Sequence, residues 1–345
     1  MSFRGLIGLL VVYVLAAIWT IPVALTTLIY AVLFSARFIH QKHRPYQIHA
    51  LKEFTHGFLD LHDGTIRIHY VEAGSPSRPL LLFAHGFPEF WYSWHHQITE
   101  FQKDYHVVAI DLRGYGESSK PDSVSAYALV DLVEDLRQVI LALGQRKCYL
   151  VSHDWGSSVA WRFALKHPEM IEKLVIMNCP HPKASTKLPL GAKLKQMLKT
   201  WYMFFFQCPY LPEIILRAND LELLIKMIKE PPGGCANHDA FTHEDEEAWK
   251  YTFQQHGAMT PPINYYRANI GRLPPKDTNT TGDMVEPPTL IIWSSKDIAL
   301  GEELAQSSLQ FCQQGTLRVF QGVSHWTQFD QPKLCNQVIR DFLNS

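Results

Sequence analysis

Short apolar runs, separated by longer segments with helical spacing, are the feature of this sequence that most limits its possible folds. Such runs are typical of strands buried on both faces of a parallel sheet. Between them, the apolar residues of 129–143 recur at helical spacing and Gly144 follows as a C-terminal cap. The alternation predicts an α/β fold, a mostly parallel sheet flanked by helices. The predicted strands lie at 65–71, 80–84, 106–110, 148–151, 174–177, 289–293 and 317–320.

The first forty residues are far more apolar than the rest of the chain and suit a membrane rather than water. Gly5–Phe34 contains thirty residues without a charge, and about twenty suffice to cross the ~30 Å hydrocarbon core as a helix. A secretory signal has a shorter apolar region, of about 7–15 residues. A soluble helix that is apolar on every face rarely runs so long. We therefore predict an N-terminal transmembrane helix within an anchor of residues 1–40.

The orientation of this helix stays open at the level of sequence. Arg37, Lys42 and Arg44 follow the apolar stretch, whereas Arg4 precedes it, and this excess favours a cytosolic location for the rest of the chain. The glycosylation sequon at Asn279–Thr281 favours the opposite side of the membrane.

Overall charge and cysteine usage exclude several classes of protein. The 32 basic and 33 acidic residues nearly balance, whereas a nucleic-acid-binding protein carries a basic excess or stripe. The six cysteines contain no CxxC pair, so we expect buried free thiols, with a disulfide left open. The acidic run His243–Glu247 lacks the HExxH spacing of a zinc site, and we expect it to form a solvated helix face.

The strand pattern breaks between about Pro180 and Pro288. This region has clusters of Pro and Gly together with aromatic helical segments, and it contains no short buried run. A mostly helical insertion between two strands accounts for the break. The predicted division is a first part of the core at 41–180, the insertion at 181–287 and a second part of the core at 288–345.

A strand-to-helix turn carries the strongest chemical signal. In SHDWG at 152–156, small residues stand two before and two after Asp154. This is the spacing of a nucleophile elbow, whose sharp turn crowds the backbone and pushes the central side chain into the site. Ser152 is a poor rival, since its own flanking positions are too large. The alternative reading of Asp154 is a helix N-cap, where Asp is favoured.

Other strand ends supply the partners that such a nucleophile needs. HGFP at 85–88 follows a buried strand, and in this turn the backbone N–H of Phe87, with that of Trp155, suits an oxyanion hole. Asp297 follows a late strand and His325 follows the last one. The chain order Asp, Asp, His is that of α/β-hydrolase triads.

Four motifs carry a family resemblance: HGFPEFWYSW, DLRGYGESSKP, SHDWGSSVAW and SHWTQFDQP. In this order and spacing they resemble the epoxide hydrolases of the α/β-hydrolase fold, most closely the membrane-anchored epoxide hydrolase 3 and 4 group. The resemblance extends from about Phe54 to Phe342 and implies that the insertion is a helical lid. Ser152 and Ser324 stand where the family more often has glycine, and both remain small.

The resemblance also implies a mechanism and a setting. Asp154 would be the nucleophile, His325 the general base and Asp297 the acid that orients it. Two lid tyrosines, Tyr266 in NYYR and Tyr202 in WYMFFFQ, would donate to the epoxide oxygen. The substrates would be water and a small lipophilic epoxide derived from lipid, with no cofactor and no metal. The enzyme would be a single-pass protein of lipid metabolism in the endoplasmic reticulum membrane.

Two other functions stay open at this point. A haloalkane dehalogenase shares an Asp nucleophile followed by Trp, but its leaving group needs halide-binding N–H donors and no proton donor. A catalytically silent, membrane-bound binding protein on the same fold is the third possibility, because fold does not fix function.

Overall fold

The computed structural model describes residues 3–33, 35–38, 40–42, 44, 48–270 and 282–345. An eight-stranded sheet in the order β1-β2-β4-β3-β5-β6-β7-β8 forms its centre. β2 pairs antiparallel with β1 and β4, and all other neighbours are parallel. The sequon at Asn279 lies outside the described residues. The strands are β1 Thr55–Leu61, β2 Ile66–Ala73, β3 Leu80–Ala84, β4 His106–Ile110, β5 Cys148–His153, β6 Ile171–Met177, β7 Thr289–Ser294 and β8 Gly315–Phe320.

Every run predicted as a strand is found as one, but the first strand of the sheet was not predicted. β3, β4 and β7 are buried along their whole length, which explains their unbroken apolar sequences. β1 lies at the edge of the sheet and is mostly exposed or half-buried. An edge strand of this kind needs no continuous apolar run, so THGFLDL gave no signal.

Thirteen α-helices accompany the sheet in the described part of the chain. α4 packs against β1 and α5, and α5 packs against β5 and β6. The predicted helix at 129–143 ends at Ala142, with Gly144 at φ +74°. The helices are α1 Phe3–Leu33, α2 Ser35–Phe38, α3 His95–Phe101, α4 Leu129–Ala142, α5 Asp154–Lys166, α6 Leu190–Lys199, α7 Trp201–Phe205, α8 Leu211–Lys229, α9 His243–Gln254, α10 Thr260–Asn269, α11 Glu302–Leu309, α12 Thr327–Asp330 and α13 Pro332–Asn344.

Helices α6 to α10 form an insertion between β6 and β7, which we call the helical insertion. Its described residues, 178–270 and 282–288, contain no strand, and Val285 makes an isolated bridge to Cys312. All six cysteines of the chain lie in the described part and are free thiols.

The acidic run at the start of α9 is only partly solvated: His243 and Glu244 are exposed, as expected, whereas Asp245 is buried and the two glutamates after it are paired. Glu247 accepts a hydrogen bond from the buried Arg44 at 2.9 Å. Glu246 lies 2.7 Å from the Lys250 ammonium group. Arg44 also donates to Asp220 in α8 at 2.7 Å. These ion pairs connect the segment that follows α1 to the helical insertion.

Helix α1 packs along the helical insertion and leaves most of its surface exposed. Val12 and Ala16 are buried, and the Trp19 ring lies 5.5 Å from that of Trp201 in α7. The other faces of α1 expose large apolar side chains. The part from Leu10 to Leu33 is long and apolar enough to cross a membrane.

Candidate active site

The turn between β5 and α5 holds Asp154 in a strained conformation. Its φ is +46°, in the left-handed region that non-glycine residues rarely adopt. A Cβ added at Gly156 would lie 2.3 Å from the carbonyl oxygen of Ala84, so the neighbouring strand end leaves room only for glycine. The predicted elbow is therefore present, and its central carboxylate projects from the carboxyl edge of the sheet.

Two backbone amides hold the Asp154 carboxylate. The Phe87 N–H donates to Oδ1 at 2.9 Å, and the Trp155 N–H also hydrogen-bonds to this carboxylate. Burial raises the pKa of Asp154, while the positive charge of His325 and both amides oppose that rise. Hydrogen bonds from the Phe87 and Trp155 amides thus converge on the carboxyl group, as an oxyanion hole requires.

His325 lies between two carboxylates. Its Nδ1–H donates to Asp297 Oδ2 at 2.7 Å, and its Nε2 lies 3.7 Å from Asp154 Oδ2. Burial lowers the pKa of His325, but the charges of Asp297 and Asp154 outweigh it and raise that pKa from 6.5 to about 9. The imidazole is therefore cationic at neutral pH while Asp154 carries its charge.

Asp297 is fixed by several donors besides His325. The backbone N–H groups of Ala299 and Leu300 donate to Oδ1, each at 2.8 Å. The Asn178 amide donates to Oδ2 at 2.9 Å. Burial opposes ionisation of Asp297, but the charge and hydrogen bond of His325, together with these donors, lower its pKa. A buried carboxylate with this many donors stays ionised and holds the imidazole in one orientation.

The predicted tyrosines lie above this carboxylate, on two helices of the helical insertion. Tyr266 in α10 packs edge-on against Phe87 and Trp155, with ring centroids 5.3 and 5.0 Å away. Tyr202 in α7 lies 5.9 Å from the Tyr266 ring. Burial raises the pKa of both phenols well above 10, and the charge of Asp154 raises it further. The structure thus brings together all the residues that the sequence singled out.

Adjacent tyrosines in α10 have different surroundings. The Tyr265 hydroxyl donates to the backbone oxygen of Arg113 at 2.6 Å, so its hydrogen-bonding capacity is used in joining the insertion to the core. The Tyr265 ring also packs against Trp155 at 5.6 Å, whereas Tyr266 packs against both Phe87 and Trp155, the two residues that hold the Asp154 carboxylate. These contacts indicate that the Tyr265 hydroxyl is structural, whereas the Tyr266 hydroxyl is available to a substrate.

Arg267 fixes the distance between the two helices that carry Tyr202 and Tyr266. Its guanidinium donates to the backbone oxygens of Phe206 at 3.0 Å and Cys208 at 2.7 Å. It also pairs with Glu213 at 2.6 Å. A planar guanidinium with three such partners ties α10 to the end of α7. Sequence reasoning assigned Arg267 no role, because these three partners, Phe206, Cys208 and Glu213, are more than fifty positions away.

Buried polar residues behind the site were also missed. His153 lies 2.7 Å from Glu89 through Nδ1 and 2.9 Å from the backbone oxygen of His325 through Nε2. Glu89 also accepts from the Gly86 N–H at 2.6 Å. This network joins the 85–89 turn, the elbow and the His325 loop. The sequence offered only their positions as a clue: His153 stands at the end of β5, and Glu89 lies in the turn that follows β3.

His85 holds the turn that follows β3. Its Nδ1 contacts the Gly86 oxygen at 2.9 Å, and its Nε2 accepts from the Leu112 N–H at 3.1 Å. Among the described residues, no three His, Cys, Asp or Glu side chains are grouped so as to hold a metal ion.

Comparison with known proteins first identifies the fold family of the chain. The α/β hydrolase fold family matches residues 79–332. A crystal structure of a Bacillus megaterium epoxide hydrolase with an inhibitor superimposes with a TM-score of 0.75 at 31% identity, covering 84% of this chain and 100% of that one.

The curated relatives identify a more specific family within this fold. Epoxide hydrolase 1 of Caenorhabditis elegans is 45% identical over 81% of this chain and 68% of its own length. Human epoxide hydrolase 4 is 40% identical over 84% of this chain and 79% of its own length. The chain therefore belongs to the epoxide hydrolase family of α/β-hydrolases, as the four motifs predicted.

Proposed function

We propose that this protein converts lipophilic, lipid-derived epoxides to vicinal diols through a covalent ester on Asp154. One observation carries the proposal. The Tyr266 ring packs against Phe87 and Trp155, whose amides hold the Asp154 carboxylate, and the Tyr202 ring packs against Tyr266. A nucleophilic carboxylate facing two neutral hydrogen-bond donors suits the opening of a strained ring that carries one oxygen.

In the first step, Asp154 Oδ2 attacks an epoxide carbon and the carbon–oxygen bond of the ring breaks. Oδ1 stays with the amide of Phe87 and becomes the ester carbonyl oxygen. Tyr202 and Tyr266 donate hydrogen bonds to the ring oxygen, whose developing alkoxide is more basic than a phenolate. Since esterification removes the charge of Asp154, one cause of the raised pKa of both phenols disappears as the alkoxide needs its proton.

In the second step, His325 removes a proton from water, which attacks the carbonyl carbon of the ester. The charge of Asp154, which helps to hold the pKa of His325 at about 9, is absent from the ester. The imidazole therefore loses its proton more easily in the intermediate than in the free enzyme. The oxyanion forms on Oδ1, beside the Phe87 and Trp155 amides, and the bond between the carbonyl carbon and Oδ2 breaks. The imidazolium of His325 returns the proton to Oδ2, so the diol leaves with Oδ2 as a hydroxyl and the oxygen of water remains in Asp154.

We further propose that α1 anchors the enzyme, as a single-pass protein, in the endoplasmic reticulum membrane. The length and apolar character of Leu10–Leu33 support anchoring, and lipophilic epoxides concentrate in membranes. The chain then divides into an anchor at 1–40, a hydrolase core at 41–180 and 288–345, and a lid at 181–287 formed by the helical insertion.

A single turnover in water enriched in heavy oxygen tests the mechanism. With enzyme in excess over a fatty-acid epoxide, we expect label in the peptide containing Asp154 and an unlabelled first diol. An Asp154→Ala variant under the same conditions should yield neither diol nor label. Label entering the diol in the first cycle would contradict the ester mechanism. Halide release from a haloalkane, with no diol from any epoxide, would favour the dehalogenase alternative.

A further inference from the structure

Helix α6 of the helical insertion exposes its apolar side to the surroundings. The side chains spaced at 190, 194, 197 and 198 lie on one side of the helix, and every residue of α6 is at least partly exposed. We call this set the α6 face. Its members and their exposed fractions are Leu190 73%, Leu194 51%, Met197 38% and Leu198 60%.

The polar side of α6 is bound to the hydrolase core. The Gln196 side chain donates to the Ala299 oxygen at 2.7 Å and accepts from the Gly301 N–H at 2.9 Å. The Lys199 ammonium donates to the backbone oxygen of Asp297 at 3.3 Å. A surface helix of a globular protein normally turns its apolar stripe towards the core. Here the hydrogen bonds fix the opposite orientation, so the apolar side needs a partner other than water.

The α6 face and the exposed apolar surface of α1 lie on two helices that both contact α7. α6 contacts α7, and α7 contacts α1, with Trp19 and Trp201 in ring contact. α1 exposes large apolar side chains over most of its length, Leu10 and Leu33 among them. A phospholipid bilayer suits so long a surface. Because α1 and α6 both contact the same short helix, a bilayer around α1 would come close to α6.

The charges around the α6 face suit anionic headgroups. From His181 to Pro212 the sequence has five lysines and no acidic residue. Lys187 and Lys193 have exposed side chains in the first half of this segment, whereas Lys195 lies 4.0 Å from Glu303 and Lys183 pairs with Asp283. Apolar residues flanked by lysines are typical of helices that lie in the interface of a membrane.

We infer that the α6 face contacts the lipid of the bilayer that holds α1. This inference rests on the proposed membrane role of α1. Thr200 alone separates α6 from α7, the helix that carries Tyr202. Membrane contact is therefore made next to a substrate-binding residue, and a lipophilic epoxide enters the site from the lipid phase rather than from water.

Site-specific photo-crosslinking of the full-length protein tests this inference. The photoreactive amino acid benzoylphenylalanine is placed at position 194, and the protein is reconstituted in phosphatidylcholine vesicles containing phosphatidylserine. Position 25 in α1 reports on the anchor, and position 334 in α13, an exposed leucine away from the insertion, is the negative control. We expect lipid adducts at positions 194 and 25 and none at 334.

The pattern of adducts separates failure of this inference from failure of the anchor. Lipid adducts at 25 without any at 194 would overturn the inference and leave the anchor in place. The absence of adducts at both positions would overturn both. A crosslink from 194 to a second protein chain would identify the face as a protein interface and would also overturn the inference.

Kinetics supply an independent test. In a variant combining Leu194→Glu and Leu198→Glu, turnover of a vesicle-dissolved fatty-acid epoxide should fall roughly tenfold, since two apolar contacts with lipid are lost. Turnover of a small water-soluble epoxide should be unchanged, and Leu334→Glu should affect neither substrate. An equal loss on both substrates would mean that the face supports the fold instead, and would overturn the inference.

Discussion

Two buried histidine–carboxylate pairs in this molecule have the same geometry and different surroundings. His325 contacts Asp297 at 2.7 Å beyond the ends of β7 and β8, and His69 contacts Asp111 at 2.7 Å between β2 and the end of β4. The second nitrogen of His69 lies 2.9 Å from His56. The second nitrogen of His325 lies 3.7 Å from Asp154 Oδ2, too far for a hydrogen bond.

The difference lies in whether the chain of hydrogen bonds is complete. His56 continues from His69 to the backbone oxygen of Leu51 at 2.6 Å. Three hydrogen bonds connect Asp111 to the backbone oxygen of Leu51: Asp111 with His69, His69 with His56, and His56 with Leu51. Each hydrogen bond needs one proton, so all three form only when the two histidine rings and the carboxyl group together carry three protons. At His325 the corresponding position faces the site and stays free for water. An unfilled nitrogen, rather than the carboxylate contact, therefore marks the reactive histidine.

Removal of the nucleophile should have the largest effect. Asp154→Ala leaves His325 and Asp297 in place but removes the group that forms the ester, so diol formation should fall by roughly 10⁴-fold or more. Steady-state diol production measures the loss, and circular dichroism verifies the fold. Substantial remaining turnover would mean that water attacks the epoxide directly.

Substitution of His325 and substitution of His69 should have different effects on catalysis. His325→Gln blocks ester hydrolysis more than ester formation, so kcat should fall about 10²–10⁴-fold while a stoichiometric adduct accumulates on Asp154. Intact-protein mass spectrometry detects the adduct. His69→Gln is the matched control, with normal kcat and no adduct. Trapping in both variants, or in neither, would break the distinction drawn between the two pairs.

The neighbouring residues Tyr265 and Tyr266 allow a matched test of the proposed proton donor. Tyr266→Phe should slow ester formation about 10–100-fold, because one donor to the ring oxygen is lost. Tyr265→Phe removes an equal hydroxyl that donates to Arg113 instead, and its rate of ester formation should stay normal. Stopped-flow fluorescence under single-turnover conditions measures both. Equal rates in the two variants would remove Tyr266 from the proposed donors.

These comparisons also show what the sequence could predict. The elbow was predictable because a left-handed Asp154 and the close approach at Gly156 impose small neighbours at fixed spacing. Strands buried on both faces were predictable for a similar reason, since burial imposes an unbroken apolar run. The tyrosines came from the family resemblance rather than from any local rule.

Other parts of the site leave no local pattern. Asn178 reaches Asp297 from 119 positions away, and His153 reaches the His325 oxygen from 172. Nothing near either residue reveals such a partner. The packing of α1 on the helical insertion was hidden for the same reason, because an all-apolar helix does not show which of its faces contacts protein.

The charge of Asp154 should be visible in the titration of His325. Since that charge helps to raise the pKa of His325 to about 9, Asp154→Ala should lower the pKa, as esterification does. The rate of ester hydrolysis in the wild-type enzyme should accordingly increase with pH, because the base must be neutral, and level off below pH 9. Nitrogen NMR of labelled histidine and single-turnover hydrolysis across pH measure the two effects. An unchanged pKa in the variant would contradict this coupling.

The smallest effect on activity is expected at the satisfied pair. His69→Gln breaks a buried chain that holds β1 against β2 and leaves Asp111 with fewer donors, so the free energy of unfolding should fall by about 1–3 kcal/mol. Asp111 keeps the backbone N–H groups of Trp91 and Glu117 at 2.8 and 3.1 Å, which limits the loss. Urea denaturation followed by tryptophan fluorescence measures it, with kcat assayed on the same preparation. A drop in kcat without loss of stability would show that completeness of the hydrogen-bond chain does not separate structural from reactive histidines in this protein.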